Sequence, residues 1–364
     1  MCNVRFVGVG SYVPERRIDN ESIARAVPGW PASRIEEKTG IVERRFLWEL
    51  DAERGRSVAP PKDTGQPRSN TDMCEIALGR ALEMAGVKAR ELDAILLVTC
   101  SPDRLNFCHD AMELHRRLGC RPDAHALVFD SGCGGTLYAV DLAWKMLRGE
   151  TFKTIAVLGS NFTSSFLDRE VFTGKIDGAT NGKALSGYLS MYVFGDGAGA
   201  VILRGDQGKG AGIVSSFAGS AEGELVVRRA GGAECPGGPS CTASPADWAF
   251  IVDGPLVAQT FPVYMKRCLR GVFEGVPTLS GEVKRYYFHQ PNKRLLDHFV
   301  EEAGLPKDRV PTHVERYGNT SAAGMLILLS EDLARGAVRL GGGDLVCLAA
   351  VGAGVHYGAQ LVRL

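Results

Sequence analysis

The sequence predicts an α/β protein with buried sheets, because short apolar runs alternate with amphipathic stretches along most of the chain. Runs such as residues 95–98, 126–129 and 154–158 have the length and composition of buried strands. The 364 residues exceed the size at which one hydrophobic core usually stops growing, which indicates two domains or one duplicated domain. The 45 glycines cluster at the ends of such runs, as expected where many strands turn into helices.

The predicted elements of the first half are strands and helices. In order, they are a strand at residues 6–9, a helix beginning near residue 19, helices at 34–39 and 72–85, a strand at 95–98, a helix at 111–118, a strand at 126–129, a helix at 137–147 ended by Gly149, and a strand at 154–158. Residues 51–70, rich in Arg, Pro, Asp and Gly, are predicted to form a surface loop. Residues 161–189 form a longer polar segment, which fits either a substrate tunnel or lid or a plain surface insertion.

The remaining predicted elements follow two glycine turns. In order, they are strands at 200–204 and 286–288, a helix following residue 292, a helix following residue 321 and a C-terminal strand at 357–363. The glycine turns at 195–199 and 352–354 each precede a strand that ends in aliphatic residues and arginine, which hints at two similar halves. Neither turn has the glycine spacing of a dinucleotide fingerprint, so no nicotinamide site is predicted.

Charge and composition disfavour several classes of function. Lysine plus arginine and aspartate plus glutamate both number 42, so no overall field favours nucleic acid or a membrane surface. No apolar run approaches the roughly 18 residues of a membrane span and no leader is visible, so a cytoplasmic protein is expected. The ten cysteines are scattered singly and are expected to be reduced thiols. Cys235 and Cys241 lack a second ligand pair with zinc-like spacing, so no metal site is predicted.

The candidate nucleophile is Cys133, in a turn between a predicted strand and a predicted helix. Unpaired backbone amides and the positive end of the helix dipole lie at such a turn, and both favour a thiolate over a thiol. Taken alone, the pattern also fits a small buried core cysteine.

Two polar turns further along the chain carry other candidate residues. His289 follows the strand at 286–288, and Asn319 precedes the helix that follows residue 321. Taken singly, a histidine at a strand end is often structural, and an asparagine before Thr-Ser is often a helix cap. Three turns, each at an element boundary, therefore carry Cys133, His289 and Asn319.

The whole chain resembles the thiolase-fold condensing enzymes, specifically β-ketoacyl-acyl carrier protein synthase III and its acyltransferase relatives. The matching segments, in the family's order, are residues 8–14, 38–44, the Cys133 turn, 194–200, 288–292, 316–323 and the C-terminal glycine turn. Each segment alone is weak, but their joint order is specific. The resemblance implies a thiolase-like fold in which two similar βαβαβαββ halves, residues 1–207 and 208–364, form a five-layered αβαβα architecture.

The resemblance implies a catalytic role for each of the three turns. Cys133 would take an acyl group from a thioester, and His289 and Asn319 would flank the carbonyl of the second substrate. A thiolate attacks a thioester readily, and the acyl-enzyme is itself activated. If the second substrate is a malonyl-type thioester, loss of carbon dioxide leaves an enolate that two neutral donors stabilise. The backbone amides of Cys133 and Ala353 would form the oxyanion hole.

The resemblance further implies a homodimer and thioester substrates. Phe107 matches a position that reaches into the neighbouring subunit's tunnel, and Asn292 matches a contact with the pantetheine arm. Arg294 matches a basic residue that helps to dock the acidic carrier protein, although a solvated surface charge fits the pattern equally. No permanently bound cofactor is implied, and the substrates are acyl thioesters of coenzyme A or acyl carrier protein.

The chain departs from the family pattern in several places. Arg34 stands where bacterial fatty-acid members have a tryptophan that stacks on the adenine of coenzyme A. The segments 51–70 and 161–189 are longer than the pattern, and the Ser-Gly-Cys-Gly-Gly sequence at 131–135 replaces an alanine-rich surround. These departures predict a specialised enzyme of secondary metabolism, in polyketide or fatty acid biosynthesis, with an unusual acyl donor or acceptor.

Other functions fit the same residues. On the same fold, Cys133 would pass its acyl group to a hydroxyl or amine, with His289 as general base and no decarboxylation. Relatives that do this often carry Asp at the Asn319 position, so the retained Asn favours condensation. A supporting subunit of a larger synthase is disfavoured by the intact triad. A papain-like protease shares the order Cys, His, Asn, but its local signature is absent.

Overall fold

The computed structural model describes residues 3–62, 64–104, 107, 109–169, 189, 191–207, 210–223, 225–227 and 251–364. The strands are β1 (Asn3–Tyr12), β2 (Arg17–Asp19), β3 (Glu43–Arg45), β4 (Glu49–Asp51), β5 (Arg56–Val58), β6 (Ala94–Val98), β7 (His125–Phe129), β8 (Thr154–Asn161), β9 (Gly197–Asp206), β10 (Gly212–Ser220), β11 (Val226–Val227), β12 (Ile251–Val252), β13 (Arg285–Phe288), β14 (Leu345–Gly352) and β15 (His356–Arg363). The helices are α1 (Asn20–Ala26), α2 (Ala32–Thr39), α3 (Asn70–Ala85), α4 (His109–Arg117), α5 (Gly135–Arg148), α6 (Gly254–Phe273), α7 (Lys293–Glu302), α8 (Val314–Tyr317) and α9 (Gly324–Ala334).

Two mixed sheets form the frame of the described structure. The first has the order β1-β9-β8-β6-β7, in which β6 runs parallel to both its neighbours and β9 antiparallel to both of its own. The second has the order β10-β15-β14-β13, and only β13 and β14 are parallel. The strands of the first sheet end at Asp206, and those of the second begin at Gly212. The proposed division between residues 207 and 208 falls in this interval and stays a prediction.

The two sheets are separated by a central layer of helices. Buried side chains of α5 and α9 join the inner faces of both sheets in one hydrophobic cluster. On the outer face of the first sheet, α3 and α4 bury their apolar side chains, and α6 and α7 do so on the outer face of the second. Helix and sheet layers therefore alternate, and the predicted five-layered αβαβα architecture is confirmed.

Local sequence explains where α3 begins and ends. The Ser69 hydroxyl accepts the backbone N–H of Asp72, whose carboxylate in turn accepts the N–H of Ser69, so the two residues form a capping box. Gly86 ends the helix in the left-handed conformation at a φ of 61°.

The prediction that residues 51–70 form a surface loop is partly wrong, because β5 pairs antiparallel with β4. A strand of three residues is too short to show periodicity.

The position of β7 in the first sheet differs from the prediction. The strand β7 was expected to be buried, but it lies at the edge of the first sheet, where β6 is its only neighbour among the described strands. Its Leu127 is 39% exposed.

Most of the predicted segment 161–189 lies outside the described residues. Among the helices that are described, none combines the length and apolarity needed to cross a bilayer.

Candidate active site

One cavity of about 480 Å³ contains all three candidate catalytic residues. Cys133, His289 and Asn319 lie in its wall, and none is more than 7% exposed. Lys38 and Arg294, also in the wall, are exposed. The catalytic candidates therefore mark the deep end of the cavity, and the two cations mark its solvent end. Most of the remaining wall is formed by valine, leucine and phenylalanine side chains.

The sequence around Cys133 is explained by close packing. Cys133 lies in the 3₁₀ turn Gly132–Gly134, which runs directly into α5. Gly132 has a φ of 55°, a left-handed conformation that favours glycine. A Cβ on Gly134 would lie 2.7 Å from the carbonyl oxygen of His356. The glycine-rich surround, a departure from the family pattern, thus lets the Cys133 turn pack on the backbone of the C-terminal turn.

The C-terminal turn closes the cavity beside Cys133. Gly352 and Ala353 both line the cavity, and a Cβ on Gly352 would overlap the amide nitrogen of Gly134. His356 donates a hydrogen bond from Nδ1 to the carbonyl of Ala353 at 2.7 Å, which fixes this turn. The oxyanion hole formed by the amides of Cys133 and Ala353 stays a prediction, and both residues line the cavity.

The resting state of Cys133 is set mainly by burial. Burial raises the pKa of the Cys133 thiol to about 11, although hydrogen bonds from Ser321 and from its own backbone act in the opposite direction. The backbone amide therefore favours the thiolate as expected, but burial outweighs it. The resting side chain is a thiol.

His289 is held at the end of β13 and is uncharged. Its backbone N–H donates to the carbonyl of Ala349 at 2.9 Å, which continues the pairing of β13 with β14. Burial lowers the pKa of His289 to about 3, and nearby His313 lowers it further, while hydrogen bonding to the Ser321 backbone opposes the shift. The imidazole is therefore neutral at physiological pH, as the predicted role of a neutral donor requires.

Gln290 anchors the turn that carries His289. Its Oε1 accepts the backbone N–H groups of His313 and Val314, each at 3.0 Å. Its Nε2 donates to the carbonyl of Pro311 at 3.0 Å. These three bonds join the turn after β13 to the segment that enters α8. The sequence did not predict this role, because hydrogen bonds from a glutamine to distant backbone groups produce no recognisable sequence motif.

Asn319 is fixed so that its amide NH₂ group remains available. Its backbone N–H donates to the carbonyl of Val193 at 3.1 Å, and its carbonyl accepts the N–H of Gly195 at 3.0 Å. Its side-chain Oδ1 accepts the backbone N–H of Ser321 at 2.9 Å. Because that N–H can only donate, the side-chain oxygen must face it. The Nδ2 group is then left as a donor in the cavity wall.

Ser321 is a site residue that sequence reasoning missed. Its Oγ lies 3.3 Å from Sγ of Cys133, across a separation of 188 residues. Its backbone has a φ of 48°, which is uncommon for a residue other than glycine. The motif that contains Ser321 was interpreted only as a helix start, and no sequence pattern signals a contact between two such distant residues.

Comparison with known proteins identifies the family. Residues 129–222 match the model of 3-oxoacyl-[acyl-carrier-protein (ACP)] synthase III, and residues 278–364 match the model of its C-terminal part. The β-ketoacyl-[acyl-carrier-protein] synthase III of Syntrophomonas wolfei is 31% identical over 99% of this chain and 97% of its own length. The chain belongs to the synthase III family. Members of this family are condensing transferases, which gives the broad enzyme class.

Solved structures agree with the synthase III fold. The synthase III of Thermus thermophilus matches with a TM-score of 0.78 and 25% identity, covering 99% of each chain. OleA of Xanthomonas campestris, solved with lauric acid and lauroyl-CoA, matches with a TM-score of 0.78 over 100% of this chain and 99% of its own. At 16% identity, the match to OleA shows the fold alone.

The other residues predicted for this synthase III family member lie in different places. Asn292 and Arg294 line the cavity at the start of α7, as expected. Asn292 caps α7, because its Oδ1 accepts the N–H of Leu295 at 2.8 Å, and Arg294 donates from Nε to the carbonyl of Glu37 at 3.2 Å. Phe107 is 86% exposed and does not line this cavity. Their proposed roles stay predictions.

An aromatic ring is present at the solvent end of the cavity in spite of Arg34. Trp30 lines the cavity, and the guanidinium carbon of Arg34 lies 4.3 Å from the centroid of its ring. Trp30, four positions before Arg34, therefore supplies a ring to the cavity wall. Cys235 and Cys241 lie outside the described residues. The described residues contain no cluster of three His, Cys, Asp or Glu side chains suited to a metal ion.

Proposed function

We propose that this protein is a decarboxylative condensing enzyme in which Cys133 carries the acyl group. The supporting observation is that one cavity contains the Cys133 thiol, the neutral imidazole of His289 and the donor amide of Asn319. A thiol that becomes acylated and two neutral donors beside it are the groups that carbon–carbon condensation of thioesters needs.

The first half-reaction is acylation of Cys133. Its Sγ attacks the carbonyl carbon of an acyl thioester, and the bond between that carbon and the pantetheine sulfur breaks. The proton of the Cys133 thiol leaves with the pantetheine thiol. We assign stabilisation of the tetrahedral oxyanion to the backbone amides of Cys133 and Ala353.

The second half-reaction is condensation with a malonyl-type thioester. Loss of carbon dioxide leaves an enolate, whose oxygen accepts hydrogen bonds from the His289 ring N–H and the Asn319 amide. The enolate carbon attacks the carbonyl of the acyl-cysteine, the carbon–sulfur bond breaks, and the sulfur of Cys133 takes up a proton. No resident cofactor takes part in this scheme.

The solvent end of the cavity suits a pantetheine thioester. Lys38 and Arg294 present two cations to phosphate groups or to an acidic carrier protein. Trp30 offers a ring on which the adenine of coenzyme A stacks. Asn292 also lines the cavity, and the resemblance assigns it a contact with the pantetheine arm. We propose thioesters of coenzyme A or acyl carrier protein as substrates, within secondary metabolism.

We also propose that the protein is a homodimer. Among the described strands, β7 lies at the edge of the first sheet and carries partly exposed apolar residues, a surface that proteins usually cover. Phe107 is 86% exposed and has a φ of 60°, in agreement with a side chain presented to a second subunit. The resemblance assigns that residue to the partner's tunnel.

Intact-protein mass spectrometry tests the proposed reaction. Incubation with acyl thioesters should add the mass of one acyl group, and Cys133→Ala should abolish the adduct. A malonyl-type thioester should then remove the adduct and release one carbon dioxide for each acyl group. Loss of the adduct to a hydroxyl or amine without carbon dioxide would instead favour plain acyl transfer. Peptide cleavage without any adduct would contradict both. Extension of acetyl-CoA with malonyl-carrier protein at ordinary fatty-acid rates would contradict the specialised role.

A further inference from the structure

The side chain of Ser321 lies directly against the proposed nucleophile. Ser321 is 2% exposed, and its Oγ lies 3.3 Å from Sγ of Cys133. Either group is able to donate while both carry a proton. A thiolate can only accept, so the Ser321 hydroxyl must be the donor once Cys133 has lost its proton.

The hydroxyl reaches the sulfur because a strained turn is held in place. Ser321 has a φ of 48°, and such a conformation persists only where the surroundings fix it. On one side, the N–H of Ser321 donates to Oδ1 of Asn319 at 2.9 Å. On the other, Thr136 of α5 donates from Oγ1 to the carbonyl of Ala322 at 2.6 Å. The strained turn is therefore fastened to the helix that begins next to Cys133.

We propose that Ser321 is a positioning residue that holds the Cys133 sulfur for attack and stabilises its thiolate by donating a hydrogen bond. This inference rests on the proposed function, in which that thiolate attacks an acyl thioester. A bond forms between Sγ and the carbonyl carbon, the bond to the pantetheine sulfur breaks, and the thiol proton of Cys133 ends on that pantetheine sulfur. The Ser321 hydroxyl keeps its own proton throughout.

Few other groups in the cavity stabilise a thiolate. Burial raises the pKa of Cys133 to about 11, while Ser321 and the backbone amide act against it. Among the described residues, the titratable groups of the cavity wall besides Cys133 are His289 at the deep end and Lys38 and Arg294 at the solvent end. His289 is neutral because its pKa is lowered to about 3, with His313 close to it, so it does not pair with the sulfur as an imidazolium. Of the described groups, uncharged donors and the positive end of the α5 dipole are therefore the ones that stabilise the thiolate.

Two substitutions separate the hydroxyl from the backbone conformation. Ser321→Ala removes the hydroxyl and keeps Cβ, whereas Ser321→Gly also removes it but adopts a positive φ without strain. Thr320→Val is the matched control, because Oγ1 of the neighbouring Thr320 is buried without a hydrogen-bond partner among the described residues. The readout is the rate of alkylation of Cys133 by iodoacetamide as a function of pH. Peptide mass spectrometry distinguishes it from the partly exposed Cys100 and Cys120.

We expect both Ser321 variants to alkylate about tenfold more slowly than the parent protein near pH 8, with curves displaced to higher pH. Thr320→Val should follow the parent curve. The proposal would be overturned if both Ser321 variants alkylated with the same pH dependence as the parent protein. It would also be overturned if Ser321→Ala reacted slowly while Ser321→Gly reacted like the parent protein, because the backbone conformation alone would then matter.

The alkylation result does not depend on the proposed function, because iodoacetamide needs no thioester. Displaced curves in a protein that forms no acyl adduct would support the hydrogen bond to Cys133 and contradict condensation. Circular dichroism melting curves show which variants are folded, and Ser321→Gly removes the strain of the turn, so it provides a folded variant if Ser321→Ala does not.

Discussion

At the residue scale, the three candidate catalytic groups carry no charge at physiological pH. Burial raises the pKa of Cys133 to about 11 and lowers that of His289 to about 3, and the amide of Asn319 does not ionise. Papain-type proteases instead lower the pKa of the nucleophile by pairing it with a protonated histidine. Because Cys133, His289 and Asn319 are all uncharged, the site does not resemble that of a papain-like protease. It fits a site that stabilises an enolate with uncharged donors.

Replacing Asn319 with Asp should separate the two half-reactions. Its Oδ1 already accepts the N–H of Ser321, so Asn319→Asp keeps that bond and exchanges the NH₂ donor for an oxygen that only accepts. We expect release of carbon dioxide to fall about 100-fold, and acylation of Cys133 to change much less. Quench-flow measurement of the acyl adduct and of carbon dioxide checks this, and equal losses in both steps would contradict it.

The sequence predicted which residues form the site better than it predicted their protonation states and contacts. Cys133, His289 and Asn319 each lie in a short motif at an element boundary, so pattern and order identify them. Ser321 was missed because its contact depends on one backbone angle and on the approach of two distant turns. The thiol and the neutral imidazole depend on burial, which the sequence does not specify.

At the element scale, the site is made by turns that touch through their backbones. The turn Gly132–Gly134 packs on the turn between β14 and β15, and glycine is required because there is no space for a side chain. Helix ends were predicted well, since Gly40 and Gly86 end α2 and α3 in the left-handed conformation. The short strand β5 was not predicted, because three residues are too few to show the alternation of a strand, although its pairing with β4 is a local hairpin.

Gly134→Ala should disturb this contact between turns. The new Cβ would lie 2.7 Å from the His356 carbonyl oxygen and 3.1 Å from the Gly352 nitrogen, and both are backbone atoms. We expect the unfolding free energy in urea to fall by about 1–3 kcal/mol and the rate of Cys133 acylation to fall at least about tenfold.

Gly79→Ala is the control for this substitution. Gly79 lies inside α3 with nothing within 4 Å of the added Cβ. Alanine there should stabilise the protein by about 0.5–1 kcal/mol and leave acylation unchanged. Parental acylation in Gly134→Ala would show that the site does not need this close approach.

At the scale of the whole molecule, each half of the chain supplies part of the site. Cys133 lies on the segment that enters α5 from the first sheet, whereas His289 and Asn319 come from segments after β13 and before α9. The alternation of elements and the resemblance predicted this arrangement. The edge position of β7 was not predicted, because an apolar run looks the same in a central strand and in an edge strand that a partner covers.

Leu127→Arg should break the proposed dimer. Leu127 is 39% exposed on the edge strand β7, and a buried unpaired charge at an interface is strongly unfavourable. Light scattering after size exclusion should give two chains for the parent protein and one for this variant. Val263→Arg, at a 60% exposed position on α6, should remain dimeric. A monomeric parent protein would rule out the dimer.

The separation of Lys38 and Arg294 from the neutral deep end of the cavity has a consequence for ionic strength. Salt screens exposed charges over about 8 Å under physiological conditions but acts little on buried neutral groups. Added salt should therefore slow the capture of an anionic carrier, while a substrate already inside reacts at an unchanged rate. Substitutions at the solvent end of the cavity can therefore change which carrier delivers the acyl group while the catalytic residues at the deep end stay the same.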